Sequence, residues 1–246
     1  MSLAITYISG LLFNIVSGLC FHLVERWRPF RAVNYARRWG PDLAALAFVW
    51  VLFTVINALE TRYLGGLGLP WLSDWPLWIK LPAFYLLYDF GAYWAHRLMH
   101  TGTLWSTHVW HHMPRDIWWL SGCRASVLHA FLYRIAFLPF FFCLFDPVVA
   151  AAISVEIILA NSWMHLNLKW YPWMRKLEWL LVTPRFHHLH HGMNRECRDK
   201  NFGARFTIWD RLFGTYLDPD SVDPATLQFG VPTEDEPTIA HAALGV

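Results

Sequence analysis

The sequence predicts an all-α fold: an integral membrane helical bundle of four or five membrane helices, including a hairpin, with a histidine-rich metal-binding cap on the cytoplasmic side. Three observations lead there. The 246 residues are 56% hydrophobic and only 15% charged, where a soluble domain carries roughly 25% charged residues. The apolar residues gather into runs near the ~20 residues that a bilayer span requires, and mean hydropathy is +0.29. The histidines recur three and four residues apart, the spacing that brings side chains onto one helical face.

The first apolar run covers about Leu3 to Val24 and ends in Glu25-Arg26-Trp27-Arg28-Pro29. It has no basic n-region and no small-residue cleavage site, so it is expected to be a retained membrane helix. A second run spans about Asp42 to Leu59, and a Gly/Pro/Trp-rich loop with Trp71 and Trp75 follows. Such aromatics suit the membrane interface. A third run, about Leu77 to Ala95, leads directly into the first histidines. The long apolar tract from Val127 to about Asn161 is broken at Asp146-Pro147. Proline cannot continue a helix there, so the tract reads as a hairpin turning at Phe145–Pro147. No internal repeat and no second domain are evident.

That hairpin sets the topology. It returns the chain to the side it left, so His165 joins the earlier histidines, and no further span precedes the later ones. Of the 20 Lys and Arg, 17 lie in the Glu25–Pro41 loop, the histidine region and the C-terminal part; the exceptions are Arg62, Lys80 and Arg134. The positive-inside rule makes that face cytoplasmic. The N-terminus is expected outside, and the bacterial inner membrane rather than the endoplasmic reticulum is the expected location. No nucleic-acid partner is expected.

The chemistry sits in three histidine boxes: His96-x-x-x-His100, His108-x-x-His111-His112 and His187-x-x-His190-His191, with His165 between the second and third. One isolated box is most often core packing. Three boxes bring imidazoles to one face independently, and nine ligands exceed what one metal uses, so they suit two metals with about four or five each. Imidazole accepts Zn, Cu, Fe or Ni, so spacing leaves the metal open. Cys20, Cys123, Cys143 and Cys197 are scattered and suggest neither a zinc ribbon nor a disulfide framework. A membrane zinc hydrolase acting on lipids would need a carboxylate base as in H-E-x-x-H, which these boxes lack. A non-catalytic metal-binding or transport protein would hold its ligands near mid-membrane, whereas these stand at helix ends.

Asp89, Tyr93, His96 and His100 fall on one helical stripe. Metal-bound imidazoles pass their other N–H to a carboxylate or carbonyl, so Asp89 is the expected acceptor for His96, and Asp199 and Asp210 for the third box. Glu156, on the face away from His165, is expected to pair with Arg134.

The tracts Asp89-Phe90-x-x-Tyr93-Trp94-x-His96-Arg97-x-x-His100, Trp105-x-x-His108-x-x-His111-His112 and Pro184-Arg185-Phe186-His187-His188-Leu189-His190-His191 resemble the sterol desaturase and fatty acid hydroxylase superfamily. So do the closing Asn201-Phe202-Gly203 and the stretch from Trp209 to Tyr216. The resemblance covers nearly the whole chain. It implies a hydroxylase/desaturase-like domain over residues 1–217, followed by an acidic, proline-containing tail over 218–246. By position it implies His96, His100, His108, His111, His112, His165, His187, His190 and His191 as ligands of two iron ions. His188 occupies a variable slot and is left out. Asn161 stands where some fatty acid hydroxylases have a further ligand histidine, so either it acts through a water or one metal has one ligand fewer. His129 stands where the family often has a carboxylate, and whether it joins the site or is an interfacial histidine is open. The implied activity is O2-dependent hydroxylation or desaturation of a sterol, fatty acyl lipid or carotenoid. Zinc has no redox chemistry, whereas iron can activate O2. No flavin, NAD or haem motif occurs, so an external ferredoxin- or cytochrome-type donor is implied.

Overall fold

The structure, a computed structural model, describes residues 3–64, 67–143, 147–233 and 236–246. It is helical, and among the described residues extended pairing is confined to isolated bridges such as Pro29 with Leu168 and Gly192 with Phe229. The helices in chain order are α1 (Leu3–Trp27), α2 (Tyr35–Leu64), the short α3 (Pro70–Ser73), α4 (Leu77–Met99), α5 (Trp105–His112), α6 (Val127–Ala136), α7 (Pro139–Phe142), α8 (Pro147–Met164), α9 (Met174–Leu177), α10 (Pro184–His190), α11 (Arg195–Arg198), α12 (Ile208–Leu212) and α13 (Ile239–Leu244).

One described helix, α2, is long and apolar enough to cross a membrane, and the apolar segments Val127–Phe142 and Val148–Met164 are shorter. The turn expected at Phe145–Pro147 falls largely outside the described residues, but helices do stand on either side of it. α1 packs along α8, and α4 along α6. Their close approach is visible at Gly91, where a Cβ would lie 3.0 Å from the Ala136 Cβ. Phe84, Tyr88, Ala92, Ala136, Phe137 and Ile153 close this junction into a core. Burying each large side chain there contributes roughly 1.5–3 kcal/mol. The outer faces of α1 and α2 leave Phe13, Leu19, Trp50 and Val55 more than half exposed.

Local signals explain how the histidine-bearing helices start and stop. α4 ends at His100, and the chain turns through Gly102, whose φ of +34° suits glycine. Ser126 caps α6 by accepting from the His129 N–H (3.0 Å), and Thr183 caps α10 ahead of Pro184. Residues 218–246 do not stand apart from the body. Leu227, Phe229 and Val231 are buried, Phe229 lies against Phe30, and α13 packs on α5. Apolar residues spaced through an acidic stretch supply that contact, which overall charge conceals.

Candidate metal centre

Each box lies on or at the end of a helix. His96 is on α4 with His100 as its C-cap; His108, His111 and His112 are on α5; His187 and His190 are on α10 with His191 as its C-cap. His165 follows α8 directly. The nine imidazoles form two groups: His96, His100, His108, His112 and His190, and His111, His165, His187 and His191. Within each group the offered ligand atoms lie within 4.8 Å of one another.

Helix geometry makes this division. In every box the residues four apart stay together: His96 with His100, His108 with His112, and His187 with His191. The middle histidine of each His-x-x-His-His box, His111 or His190, lies about 100° round the helix from its neighbour and falls in the other group. The groups touch, with the His112 and His191 rings stacked at 4.5 Å between centroids.

Backbone carbonyls settle which nitrogen of each ring is free. A carbonyl only accepts, so the nitrogen facing it carries the proton. His96 Nδ1–H donates to Phe202 O (2.8 Å), His190 Nδ1–H to Lys200 O (2.8 Å), His165 Nδ1–H to Asn161 O (2.7 Å) and His111 Nδ1–H to Arg124 O (3.3 Å). His100 Nδ1–H donates to the Asp199 carboxylate at 3.3 Å. Their Nε2 atoms are therefore bare lone pairs turned inward. His165 Nε2 lies 3.2 Å from His111 Nε2 and 3.1 Å from Nε2 of both His187 and His191.

Lone pairs facing one another at such range repel unless a cation lies between them. Four nitrogens about 2.0–2.1 Å from a tetrahedral metal are separated by roughly 3.3 Å, close to these spacings. The buried Nε2 atoms of His100 and His190 and both ring nitrogens of His112 have no hydrogen-bond partner among the described residues. Burial, reinforced by neighbouring imidazoles, holds His108, His111, His112, His187, His190 and His191 well below the usual histidine range. Burial brings His165 down to about 4. Neutral imidazole is the form that binds metal, so both groups could hold an ion.

Several partners differ from expectation. Asp89 does not serve His96. Its carboxylate accepts from the Arg205 N–H (2.8 Å), the Phe206 N–H (3.0 Å) and Trp209 Nε1 (3.0 Å). It shares a helical stripe with His96, but the loop after Phe202 intervenes and supplies the acceptor itself. Asp199 reaches the first box rather than the third. Asp210 accepts from the Phe202 and Gly203 N–H groups (2.8 and 2.7 Å), and so braces the carbonyl that holds His96. Asn161 holds His165 directly, through its backbone oxygen. Glu156 pairs with Arg205 (2.8 Å), and Arg134 with Glu60. His188 faces away: Trp170 Nε1 donates to its Nδ1 (3.0 Å), and its Nε2–H donates to Leu166 O (3.2 Å).

Sequence reading missed other supports. Asp42 accepts from Arg124 Nε and Trp118 Nε1, both at 2.6 Å, fixing the residue whose carbonyl holds His111. A Cβ on Gly122 would lie 2.4 Å from His165 Nδ1. His129 is buried, with Nδ1 3.0 Å from His108 Nδ1. A glycine before Cys-Arg carries no signal by itself, whereas His129 is a residue whose place in the site the sequence leaves open.

Comparison with known proteins agrees with this geometry. The chain is 32% identical over 179 residues to alkylglycerol monooxygenase of Xenopus tropicalis, covering 72% of this chain and 36% of that protein. It is 32% identical over 177 residues to the Homo sapiens alkylglycerol monooxygenase, covering 71% and 36%. It is 28% identical over 166 residues to ornithine lipid hydroxylase OlsE of Rhizobium tropici, covering 65% and 48%. The chain thus matches about a third of the length of the alkylglycerol monooxygenases. No solved structure matches it. The model of the fatty acid hydroxylase family matches residues 81–215, which hold all nine histidines and more than half of the chain. The chain belongs to the fatty acid hydroxylase family, within the sterol desaturase and fatty acid hydroxylase superfamily.

Proposed function

We propose that the chain is a multi-pass membrane oxygenase that uses two iron ions and O2 to hydroxylate a C–H bond of a lipid, with desaturation as the sister outcome. One observation carries the reading: two touching groups of imidazoles whose free nitrogens converge. His96, His100, His108, His112 and His190 would hold one iron, and His111, His165, His187 and His191 the other. Iron, unlike zinc, supplies O2 activation. Both groups consist of histidines alone among the described residues, so neither offers the carboxylate base that a zinc hydrolase would use.

The protein's part is orientation and exclusion of water. The carbonyls of Phe202, Lys200, Asn161 and Arg124 keep four Nε2 atoms unprotonated and aimed inward. Buried Trp118, Leu189 and Phe186 help wall the region from solvent. A lipid with a polar headgroup is the substrate class suggested by the relatives' names, and the exposed apolar faces of α1 and α2 would present the site to the bilayer. Electrons would come from an external ferredoxin- or cytochrome-type protein on the cytoplasmic side, where the basic residues gather.

Two measurements test this. Protein purified from iron-replete cells should contain about two metal ions per chain. Lipid extracts from cells with and without the gene should differ by addition of one oxygen atom or removal of two hydrogens. Turnover by zinc-only protein without O2 would sink the oxygenase reading. External labelling of a cysteine at Arg195 in intact cells would reverse the topology.

A further inference from the structure

We infer that His129 is a positioning residue for His108, acting as the acceptor that holds His108 in its metal-binding tautomer. The inference rests on the two-metal reading above. His108 Nε2 lies 3.0 Å from His96 Nε2, inside the five-histidine group, so its Nδ1 points outward. Among the described residues no backbone carbonyl meets that Nδ1. His129 Nδ1 does, at 3.0 Å. Two ring nitrogens at that distance share one proton. If His108 is to present a bare Nε2, its Nδ1 must carry the proton and His129 must accept it.

The fold holds His129 in place for this. Ser126 Oγ accepts the His129 backbone N–H (3.0 Å) and donates to Thr107 O (2.7 Å), the residue just before His108. One serine therefore fixes the start of α6 against α5. Tyr133, one turn on, stacks on the His129 ring with centroids 5.0 Å apart and planes 24° apart. The ring cannot turn away without giving up that contact. His129 also stands beside the second group, 5.6 Å between centroids from His111. Its ligand-facing nitrogen is engaged with His108, so its place is behind the first ligands.

The other resolved acceptors in the centre are carbonyl oxygens and the Asp199 carboxylate. At His108 alone among the described residues, an imidazole performs this task. An asparagine places its side-chain oxygen one bond from Cγ, as Nδ1 is in histidine, and can accept from the same reach, whereas a leucine fills space without accepting.

The test loads metal-free wild type, His129→Leu and His129→Asn with cobalt(II), and reads the visible spectrum, cobalt retention against a chelator and the melting temperature. Loss of an outer hydrogen-bond partner typically weakens metal binding 10–100-fold. His129→Leu should retain cobalt that much more weakly at one site and show an altered spectrum. His129→Asn should recover most of both, with the two variants melting alike. Wild-type retention and spectrum in His129→Leu would overturn the inference, as would equal losses in both variants. A wild-type protein that takes up no cobalt would overturn the metal reading and this inference together.

Discussion

His96 and Phe202, 106 residues apart, are joined by a 2.8 Å hydrogen bond from the imidazole Nδ1–H to the backbone carbonyl. The carbonyl is held in turn because Asp210 accepts the N–H of Phe202 and that of Gly203.

Asp210→Ala should therefore act on a histidine it never touches. With its carboxylate gone, the 202–203 turn loosens and the His96 ring loses its fixed tautomer. Metal affinity should fall about 10–100-fold, read by chelator competition on protein that still melts cooperatively.

Asp89→Asn should behave differently. Asp89 ties α4 to the Arg205–Phe206 loop and Trp209, so the amide leaves a buried N–H facing another N–H. The expected cost is about 1–3 kcal/mol of stability, with metal content of the folded protein unchanged. Loss of metal at an unchanged melting temperature would restore a direct role beside His96.

Gly122→Ala places a methyl group 2.4 Å from His165 Nδ1. The imidazole must move, and the four-histidine group loses its shape. Metal analysis should show about one ion fewer per chain, with the deficit absent in a control Gly40→Ala, where nothing lies within 4 Å of the new Cβ.

Acid should destabilise the metal-free protein. His108, His111, His112, His187, His190 and His191 have folded pKa values depressed by burial and neighbouring imidazoles. Burial depresses His165 to about 4. Unfolded histidines titrate near 6.5, so below that pH the unfolded chain binds more protons. Stability is full above about pH 6.5 and falls as pH drops toward the folded values. Melting temperatures from pH 8 to 5 should show this fall, and bound metal should resist it.

His108→Ala and His190→Ala should abolish activity, whereas His188→Ala should preserve metal content. His188 spends both nitrogens on Trp170 and Leu166, so its loss should lower the melting temperature only.

How much of this could be read from the chain divides along the range of each interaction. The boxes were legible because residues three and four apart meet on a helix whatever surrounds it. The division of His111 from His112 and of His190 from His191 follows from the same local rotation. The acceptors were not legible: Phe202, Lys200, Asn161 and Arg124 use carbonyl oxygens that every residue possesses. Asp89 shows the limit of helical phase, which fixes a face but not what packs against it. Glu156 pairs with Arg205, from a distant loop, rather than with Arg134, and nothing local announces that partner. In the segment beyond Asp218, the burial of Leu227, Phe229 and Val231 is not legible, because acidic neighbours dilute them in the sequence.

The distance along the chain between His96 and Phe202 also has a temporal side. At roughly 5–20 residues per second, the 106 residues between them take on the order of 5–20 s to synthesise. During that interval the first two boxes have emerged, but the carbonyls of Lys200 and Phe202 have not. Until then nothing fixes the tautomer of His96, because its acceptor does not yet exist. The five-histidine group can therefore take its final geometry only after the chain has been made past Phe202, late in synthesis.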